Sequence, residues 1–433
     1  MGINEYFSAK NYGQDAPNMG FCSKRREFTI GLMSGTSMDG IDVALLETDG
    51  QHHIIEKGHL HYPYKANFQI ALKAAEYSVR KHKGDLQQAA LHFKSDVKDY
   101  LHTLQQPISD YYNGLSLESI IAESTQLHIS AVQQLLQQQH IKSSDISVIG
   151  YHGQTLYHQP QRQCSIIIGD GQAMANALNI PVVYQFRAND IAAGGQGAPF
   201  APIYHWALAK RDGLIPCVIL NCGGIANATL ISNDDATQLI ALDTGPGNGL
   251  IDALVRQKTH GKENRDQDGH YGLAGTVNDA ILQQLYTHSM QGDKADFFTQ
   301  AGPKSLDIGD FKWPAALENL SLEDACRTLE AFTADSIIKS LIALKRTLPN
   351  LWIVAGGGWH NPVIMQEFKT RLAQHCPKAV VKTADDIGWN ADALEAQIFA
   401  YLAVRHLQQL PFSFPGTTGI AKPLSGGVYC SPV

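Results

Sequence analysis

"FTIGLMSGTSMDGIDVALLETDG", Phe28 to Gly50, sets two β-prone apolar runs, "FTIGLM" and "IDVALLE", on either side of a turn crowded with small, hydroxylated and acidic residues. The runs predict strands. Ser34, Gly35, Thr36, Ser37, Asp39 and Gly40 between them predict a hairpin with a long polar connection. A two-residue turn is enough to join antiparallel strands. The surplus points to a loop whose backbone N–H groups and hydroxyls face a ligand rich in acceptor oxygens, phosphate first. Taken alone, the stretch also reads as an ordinary Gly/Ser surface turn, and the rest of the chain has to decide.

The chain has 433 residues, 44% hydrophobic and 17% charged, which is the profile of a globular protein of two to three domains with sizeable cores. Its net charge is −7, from 34 basic against 41 acidic residues with no long basic run, which argues against a nucleic-acid partner. No apolar run has the length of a signal peptide core or a membrane span, so no membrane association and a cytoplasmic location are expected. Seven cysteines without a C-x-x-C suggest buried, reduced thiols. Eighteen histidines invite a metal reading, but no H-E-x-x-H occurs, and structural or surface histidine is the better expectation.

Residues 1–27 read as a polar N-terminal extension. From about Tyr64 to Gln139 the apolar period is helical. The period then changes, and "ISVIGY", "CSIIIG", "PVVYQF", "CVILN" and "IANATLI" are short β-branched runs between Gly- or Pro-bearing turns. After Ser321, with Asp324 as its capping partner, a long amphipathic helix leads into strand "LWIVAGGG", helix "NPVIMQEFKTRLAQHC" and strand "AVVKT". That order favours a parallel or mixed sheet covered by helices. No repeat is visible by eye. We expect domain I over 28–140, completed by the C-terminal segment 391–433, and domain II over 141–390.

Four further segments end β runs in glycines and polar groups: "GYHGQTLYHQP", "RANDIAAGGQGAPFAP", "LNCGGIANAT" with "ALDTGPGNGLID", and "VAGGGWHNP". One such loop is commonly just a turn, but five in one chain are hard to explain structurally. G-x-x-x-x-G-K-[ST] is absent, and no G-x-G-x-x-G links a strand to a helix. The arrangement resembles instead the sugar kinase, actin and heat-shock ATPase superfamily, in which a hairpin and a second glycine turn grip phosphates from two facing domains and a later glycine pair lies under adenosine. Gly35 to Asp42, Asn221 to Gly224 and Ala355 to Gly358 occur in that order. More specifically, "GLMSGTSMDGID", "GYHGQT", "RANDIAAGGQGAP", "LDTGPGN" and "AGGG" resemble the bacterial anhydro-N-acetylmuramic acid kinases, from about Thr29 to beyond Glu395.

The resemblance implies an α/β, two-domain sugar kinase/actin-like (ribonuclease H-like) fold with a nucleotide cleft between its domains, and a homodimer. It also implies an ATP-dependent enzyme that hydrolyses the 1,6-anhydro bridge of a cell-wall amino sugar and phosphorylates O6. Its nucleotide-binding residues would be Gly35, Thr36, Ser37, Met38, Asp39, Gly40, Ile41 and Asp42 in the hairpin, then Gly223, Gly224, Gly245, Gly247 and Asn248, then Gly356, Gly357 and Gly358. Asp190 is the expected catalytic base: it directly precedes a glycine-rich stretch that permits close backbone approach, and it is the acid in the segment that resembles the family's catalytic motif. Its alternative is a helix or turn cap. Glu395, Arg187, His152 and Gln154 are the expected sugar contacts, each with an ordinary structural alternative. Where sugar kinases carry an aspartate at the start of each phosphate motif, this chain has Leu32-Met33 and Asn221. The anchor for Mg2+ is thus open, with Asp39, Asp42 or Asp243 acting through water. The rival readings are a plain amino-sugar kinase and a non-catalytic ATP-binding module.

Overall fold

The computed structural model describes residues 27–35, 37–159, 162–290 and 296–433. Thr36 and residues 1–26 of the expected N-terminal extension lie outside them; Glu27 already belongs to the first strand. The chain forms two compact units, one of Met1–Arg211 with Asp392–Val433, the other of Asp212–Ala391.

In the first unit the hairpin forms as expected, from β1 (Glu27–Ser34) and β2 (Gly40–Thr48), and β3 (Ile54–Pro63) extends it antiparallel. The connection is shorter than the sequence suggests, running only from Gly35 to Asp39, because the ladder carries Ser34 and Gly40 into the strands. The predicted helical stretch holds three long helices, α1 (Ala66–Lys81), α2 (Leu86–Thr103) and α3 (Leu117–Gln139), with a single helical turn at Asp110–Asn113 between the last two. β4 (Ile146–Gln159) then runs parallel beside β1 and carries β5 (Cys164–Ile168) as an antiparallel partner. After α4 (Gly171–Leu178), β6 (Val182–Tyr184) adds parallel to β4. α5 (Phe186–Ala192) and α6 (Ala201–Arg211) follow; α10 (Leu394–Leu407) and the edge strand β12 (Val428–Cys430) come from the C-terminal segment.

The expected domain break at 140/141 is therefore misplaced. The β run that follows the helices reads as the opening of a new sheet, but its hydrogen bonds go to β1, so 141–211 belong with the hairpin.

β1 is buried on both faces, which explains why its sequence does not alternate. Ile30 and Leu32 meet the core beneath α1 to α3, where Phe68, Leu72, Phe93 and Leu135 pack. The intervening residues face α10, a helix apolar nearly all round and buried accordingly. Gly31 and its cross-strand neighbour Gly150 form the floor. A Cβ at Gly31 would lie 1.9 Å from Ala396 O, and one at Gly150 would lie 1.9 Å from Phe399 O. Arg405 Nη1 ties the helix to Gly50 O at 2.9 Å.

The second unit repeats the ladder. β7 (Cys217–Cys222), β8 (Ile225–Ile231) and β9 (Ile240–Pro246) are antiparallel neighbours, while β10 (Leu351–Ala355) and β11 (Val380–Thr383) add parallel on the other side of β7. The strand order matches β3-β2-β1-β4-β6 step for step. This repeat is invisible in the sequence because what recurs is backbone pairing, not side chains. α7 (Gly249–Lys258), α8 (Leu322–Ile342) and α9 (Pro362–His375) pack on this sheet around Phe332, Trp352 and Phe368. Ser321 Oγ accepts from Asp324 N–H at 3.1 Å, as the capping pair predicts, but the Asp324 carboxylate accepts instead from the N–H and hydroxyl of Thr276.

We expect Gly150→Ala to push α10 off the sheet and cost about 1–3 kcal/mol, the usual range for overpacking. Urea unfolding followed by circular dichroism checks this; an unchanged midpoint would show that the helix does not rest on that floor.

Candidate functional site

The β1–β2 turn is held from below. Gln154 Nε2 donates to Gly35 O at 2.9 Å, Met38 N–H donates to Gly35 O at 3.2 Å and Tyr64 N–H donates to Asp39 O at 2.9 Å. Ser34 Oγ sits 3.0 Å from Gly153 O and 3.2 Å from His128 Nε2. His128 is buried, donates from Nδ1 to Ser124 O, and is pushed down to about 4 by burial, so it is neutral. Of the predicted nucleotide residues, Ser37 and Asp39 are exposed, and the nearest atom to a Cβ on Gly35 would be Ser37 Oγ at 3.5 Å, an ordinary contact. Met38 and Ile41 point into the core, and a Cβ on Gly40 would strike His61, so these three offer a ligand at most their backbone.

Asp39 accepts from the Ser37 hydroxyl at 2.6 Å, and Asp42 pairs with His61 Nδ1 at 2.7 Å. Burial raises the Asp42 carboxyl against the pull of His61, and the charges of Asp39 and Asp392 raise it further. Glu395, in the first turn of α10, is open to solvent, yet the protein packed around it and the Asp42 charge raise its carboxyl too. Asp39, Asp392 and Glu395 are thus each coupled by charge to Asp42 beside the turn. Asp243 is elsewhere, in β9, and its carboxylate accepts from Leu306 N–H at 2.7 Å.

On α5, Arg187 and Asp190 stand three residues apart and so share a face. Asp190 is 1% exposed; Oδ1 accepts from Gly197 N–H and Oδ2 from the Thr418 hydroxyl, both at 2.6 Å. Each oxygen keeps a further acceptor position. Arg187 donates from Nη2 to His152 Nε2 at 3.2 Å, while His152 Nδ1 donates to Gly153 O; burial, then the Arg187 charge, pushes this imidazole down to about 3. Among the described residues no carboxylate pairs with Arg187, its Nε has no partner, and burial alone pulls the guanidinium down to about 10. The structure thus joins Arg187 to His152, and Gln154 to the β1–β2 turn. Thr418, 228 residues from Asp190, is a partner no spacing argument could have found.

In the second unit the predicted glycines divide into two kinds. Gly247 N–H donates to Gly224 O, and a Cβ on Gly247 would lie 2.0 Å from Gly223 O. Cβ atoms on Gly245, Gly356 and Gly358 would strike Ser336 Oγ, Asn221 Oδ1 and Cys222 Sγ at 2.3 to 2.4 Å. These four are required by packing. Gly224 and Gly357 have nothing within 4 Å of a Cβ position, and Gly223 has only Ile225 O at 3.9 Å. Gly357 and Gly358, with Asn248, border a pocket of about 190 Å³ that Asp252, Asp268, His360 and Asn361 also line. Burial pushes Asp252 up to about 6 against the pull of Arg256 and Arg265. These lining residues were missed in the sequence, although the Asn-Pro at 361–362 is a helix-start signal directly after the glycines.

Two units of one ladder order, each with glycine turns at its strand ends, define the sugar kinase/actin-like class of fold. The sequence profile described as "Anhydro-N-acetylmuramic acid kinase" matches residues 27–97 and 79–431. Proteins of that name from Rhizorhabdus wittichii and Nitrobacter winogradskyi are 41% identical over 404 residues and 39% identical over 407 residues; each comparison covers 93% of this chain, and 98% and 99% of the relative. The relative of that name from Methylorubrum populi is 40% identical over 408 residues. The chain belongs to the anhydro-N-acetylmuramic acid kinase family.

The two kinds of glycine should separate on substitution. Gly357→Val should fold with wild-type stability and weaken ATP binding about tenfold or more, whereas Gly247→Val should lose stability by at least about 1–3 kcal/mol. Thermal melts alongside calorimetric titration with ATP check the pair; equal effects on stability would refute the distinction.

Proposed function

We propose that the protein is an ATP-dependent kinase that opens the 1,6-anhydro bridge of anhydro-N-acetylmuramic acid and phosphorylates O6, giving N-acetylmuramic acid 6-phosphate and ADP. The observation that carries this reading is the pair on α5: a carboxylate locked in place by Gly197 and Thr418, beside a half-buried guanidinium that has no carboxylate partner among the described residues. A cation partly withdrawn from water without a counter-charge is costly and calls for an anion from the ligand. The lactyl carboxylate of a muramic acid supplies one, and a plain amino sugar does not. This favours the muramic substrate over the plain amino-sugar kinase.

In the mechanism, Asp190 takes a proton from a water that attacks C1. The C1–O6 bond breaks, O6 leaves with the electron pair and attacks the γ-phosphorus in line, and ADP departs. One carboxylate suffices, because phosphoryl transfer replaces protonation of the leaving oxygen; an inverting glycosidase needs a second, acidic carboxyl group for that step. Arg187 holds the lactyl carboxylate, with His152 fixing the guanidinium, and Glu395 and Gln154 complete the sugar contacts. Within the first unit the hairpin turn would meet phosphate oxygens; within the second, the open Gly223 and Gly224 would do so, and the pocket at Asn248 and Gly357 takes the nucleoside.

The residues present fit a Mg2+ ion: Asp42, its carboxyl raised by burial and by Asp39 and Asp392, has like charges that a cation relieves. Among the described residues no cluster of three or more ligands is arranged to hold a metal directly, so Asp39 and Asp42 would hold the ion through water. Held there, the ion would supply positive charge against the negative charge of the nucleotide's phosphates.

Asp190→Asn should leave substrate binding intact and lower turnover by about 10²- to 10⁴-fold, with bridge cleavage and phosphorylation failing together. In ¹⁸O-water the wild-type product should carry label at C1 and none in the phosphate, as mass spectrometry reads directly. Label in the phosphate would mean ATP hydrolysis, and a near-normal rate for Asp190→Asn would move the base elsewhere. Arg187→Met should raise the KM for the anhydro-muramic sugar by about 10- to 100-fold, the worth of a charged hydrogen-bonded pair, and leave the KM for ATP unchanged. Equal KM values for wild type and variant in steady-state kinetics would remove the lactyl contact.

A further inference from the structure

We propose that Glu330, deep in the second unit, is a positioning residue for the pocket bordered by Gly357. By accepting a hydrogen bond from the Asn361 side chain it fixes that amide so that its remaining N–H faces an acceptor atom of the bound nucleoside. This rests on the reading that the pocket takes the nucleoside of ATP.

The geometry begins with the amide itself. Asn361 Oδ1 caps α9, accepting from Val363 N–H at 2.9 Å and from Ile364 N–H at 3.4 Å. The oxygen is thereby occupied, and the group left for other partners is the NH2. One of its hydrogens goes to Glu330 Oε1, at a nitrogen–oxygen distance of 2.7 Å. Among the described residues the other has no acceptor, and Asn361 lines the pocket. An amide whose oxygen is held by a helix and whose nitrogen is held by a carboxyl group cannot flip. It shows the pocket a donor, which suits a purine ring nitrogen or a sugar hydroxyl oxygen.

Room is made for this pair. Glu330 is fully buried in the middle of α8. A Cβ on Gly272 would lie 1.9 Å from Glu330 Oε2, and one on Gly269, whose φ is +68°, would lie 2.7 Å from Asn361 Oδ1. Two glycines of one short segment thus clear space for both partners. Asp266 in the same segment accepts from Tyr271 N–H and Gly272 N–H and lines the pocket.

The charged and titratable groups around Glu330 are Asp266, Arg327 and Cys326. Burial pushes the Glu330 carboxyl up to about 9; Asp266 adds to the rise, while the Asn361 hydrogen bond and Arg327 oppose it. Near neutral pH the group is an uncharged acid, which can accept from Asn361 without setting a second negative charge beside Asp266. Above about pH 9 it ionises and the arrangement is strained by like charge.

The test uses the full chain and ADP as the probe, titrated calorimetrically, alongside steady-state kinetics. Glu330→Ala should raise the ADP Kd and the KM for ATP about 3- to 10-fold, the worth of one neutral hydrogen bond, with kcat and the KM for the sugar unchanged. Glu330→Gln, which keeps the acceptor, should restore wild-type values at pH 7.5. Wild-type ADP affinity should fall above pH 9 and that of Glu330→Gln should not. Wild-type ADP affinity in a folded Glu330→Ala overturns the proposal. Should that variant not fold, alkaline profiles that coincide for wild type and Glu330→Gln overturn it instead. Gly357→Val separates the two readings: if it weakens ADP while Glu330→Ala does not, positioning fails alone, and if neither does, the pocket is not the nucleoside site.

Discussion

The seating of α10 on Gly31 and Gly150 is the contact on which the first unit depends. A helix normally rides on side chains at 8–10 Å from its neighbours, but here the missing Cβ atoms let its backbone reach the strands. The consequence is positional. α10 begins close enough to the hairpin for the Glu395 carboxyl to feel the Asp42 charge, and the chain beyond the helix continues to Thr418, whose hydroxyl meets Asp190. The last forty or so residues are thus part of the site at both ends of their path. The tie between Arg405 and Gly50 fixes the same helix to the β2–β3 turn, so hairpin and C-terminus cannot shift independently.

Much of this was legible in the sequence, for reasons that differ by element. The hairpin was readable because strand propensity and turn chemistry are local, and so was α8, whose Ser321 cap is a local signal. The break at 140/141 was not, because whether β4 opens a new sheet or joins an old one is decided by pairing across more than a hundred residues. The repeated ladder escaped for the same reason. At the site, Asp190 stood out because it precedes a glycine-rich stretch, and Arg187 only because it lies in a segment that resembles the family's motif. Thr418, Glu330 and Asp266 did not, since each acts on a partner distant in the chain or through a role open to any buried polar residue.

Histidine content is a case where composition misleads until burial is known. His128 and His152 are each driven neutral by burial, donate from Nδ1 to a backbone carbonyl and offer Nε2 to a side chain. Neutral imidazole can both give and take a hydrogen bond across the width of its ring without bringing a charge into the core. One histidine braces Ser34 at the end of β1 and the other braces Arg187. Both therefore serve the site as connectors behind it.

The stretch "IAAGGQG" after Asp190 suggests glycines that let a substrate approach the backbone, and the structure gives most of them another duty. A Cβ on Gly195 would lie 2.2 Å from Asp190 Oδ1, and one on Gly197, at φ +70°, would strike Ile191. Only Gly194, at φ +85°, is open. The loop turns back tightly enough to bring the Gly197 N–H onto the Asp190 carboxylate, and glycine is what allows a chain to close that sharply around a buried acid. The general base proposed for Asp190 works only if its lone pair is aimed, and aim is lost when a carboxylate rotates freely about its χ angles. One donor on each oxygen removes that rotation. In this chain the glycines beside the acid first fix the direction of its remaining lone pairs, and whatever access they give to substrate comes from the single position left uncrowded.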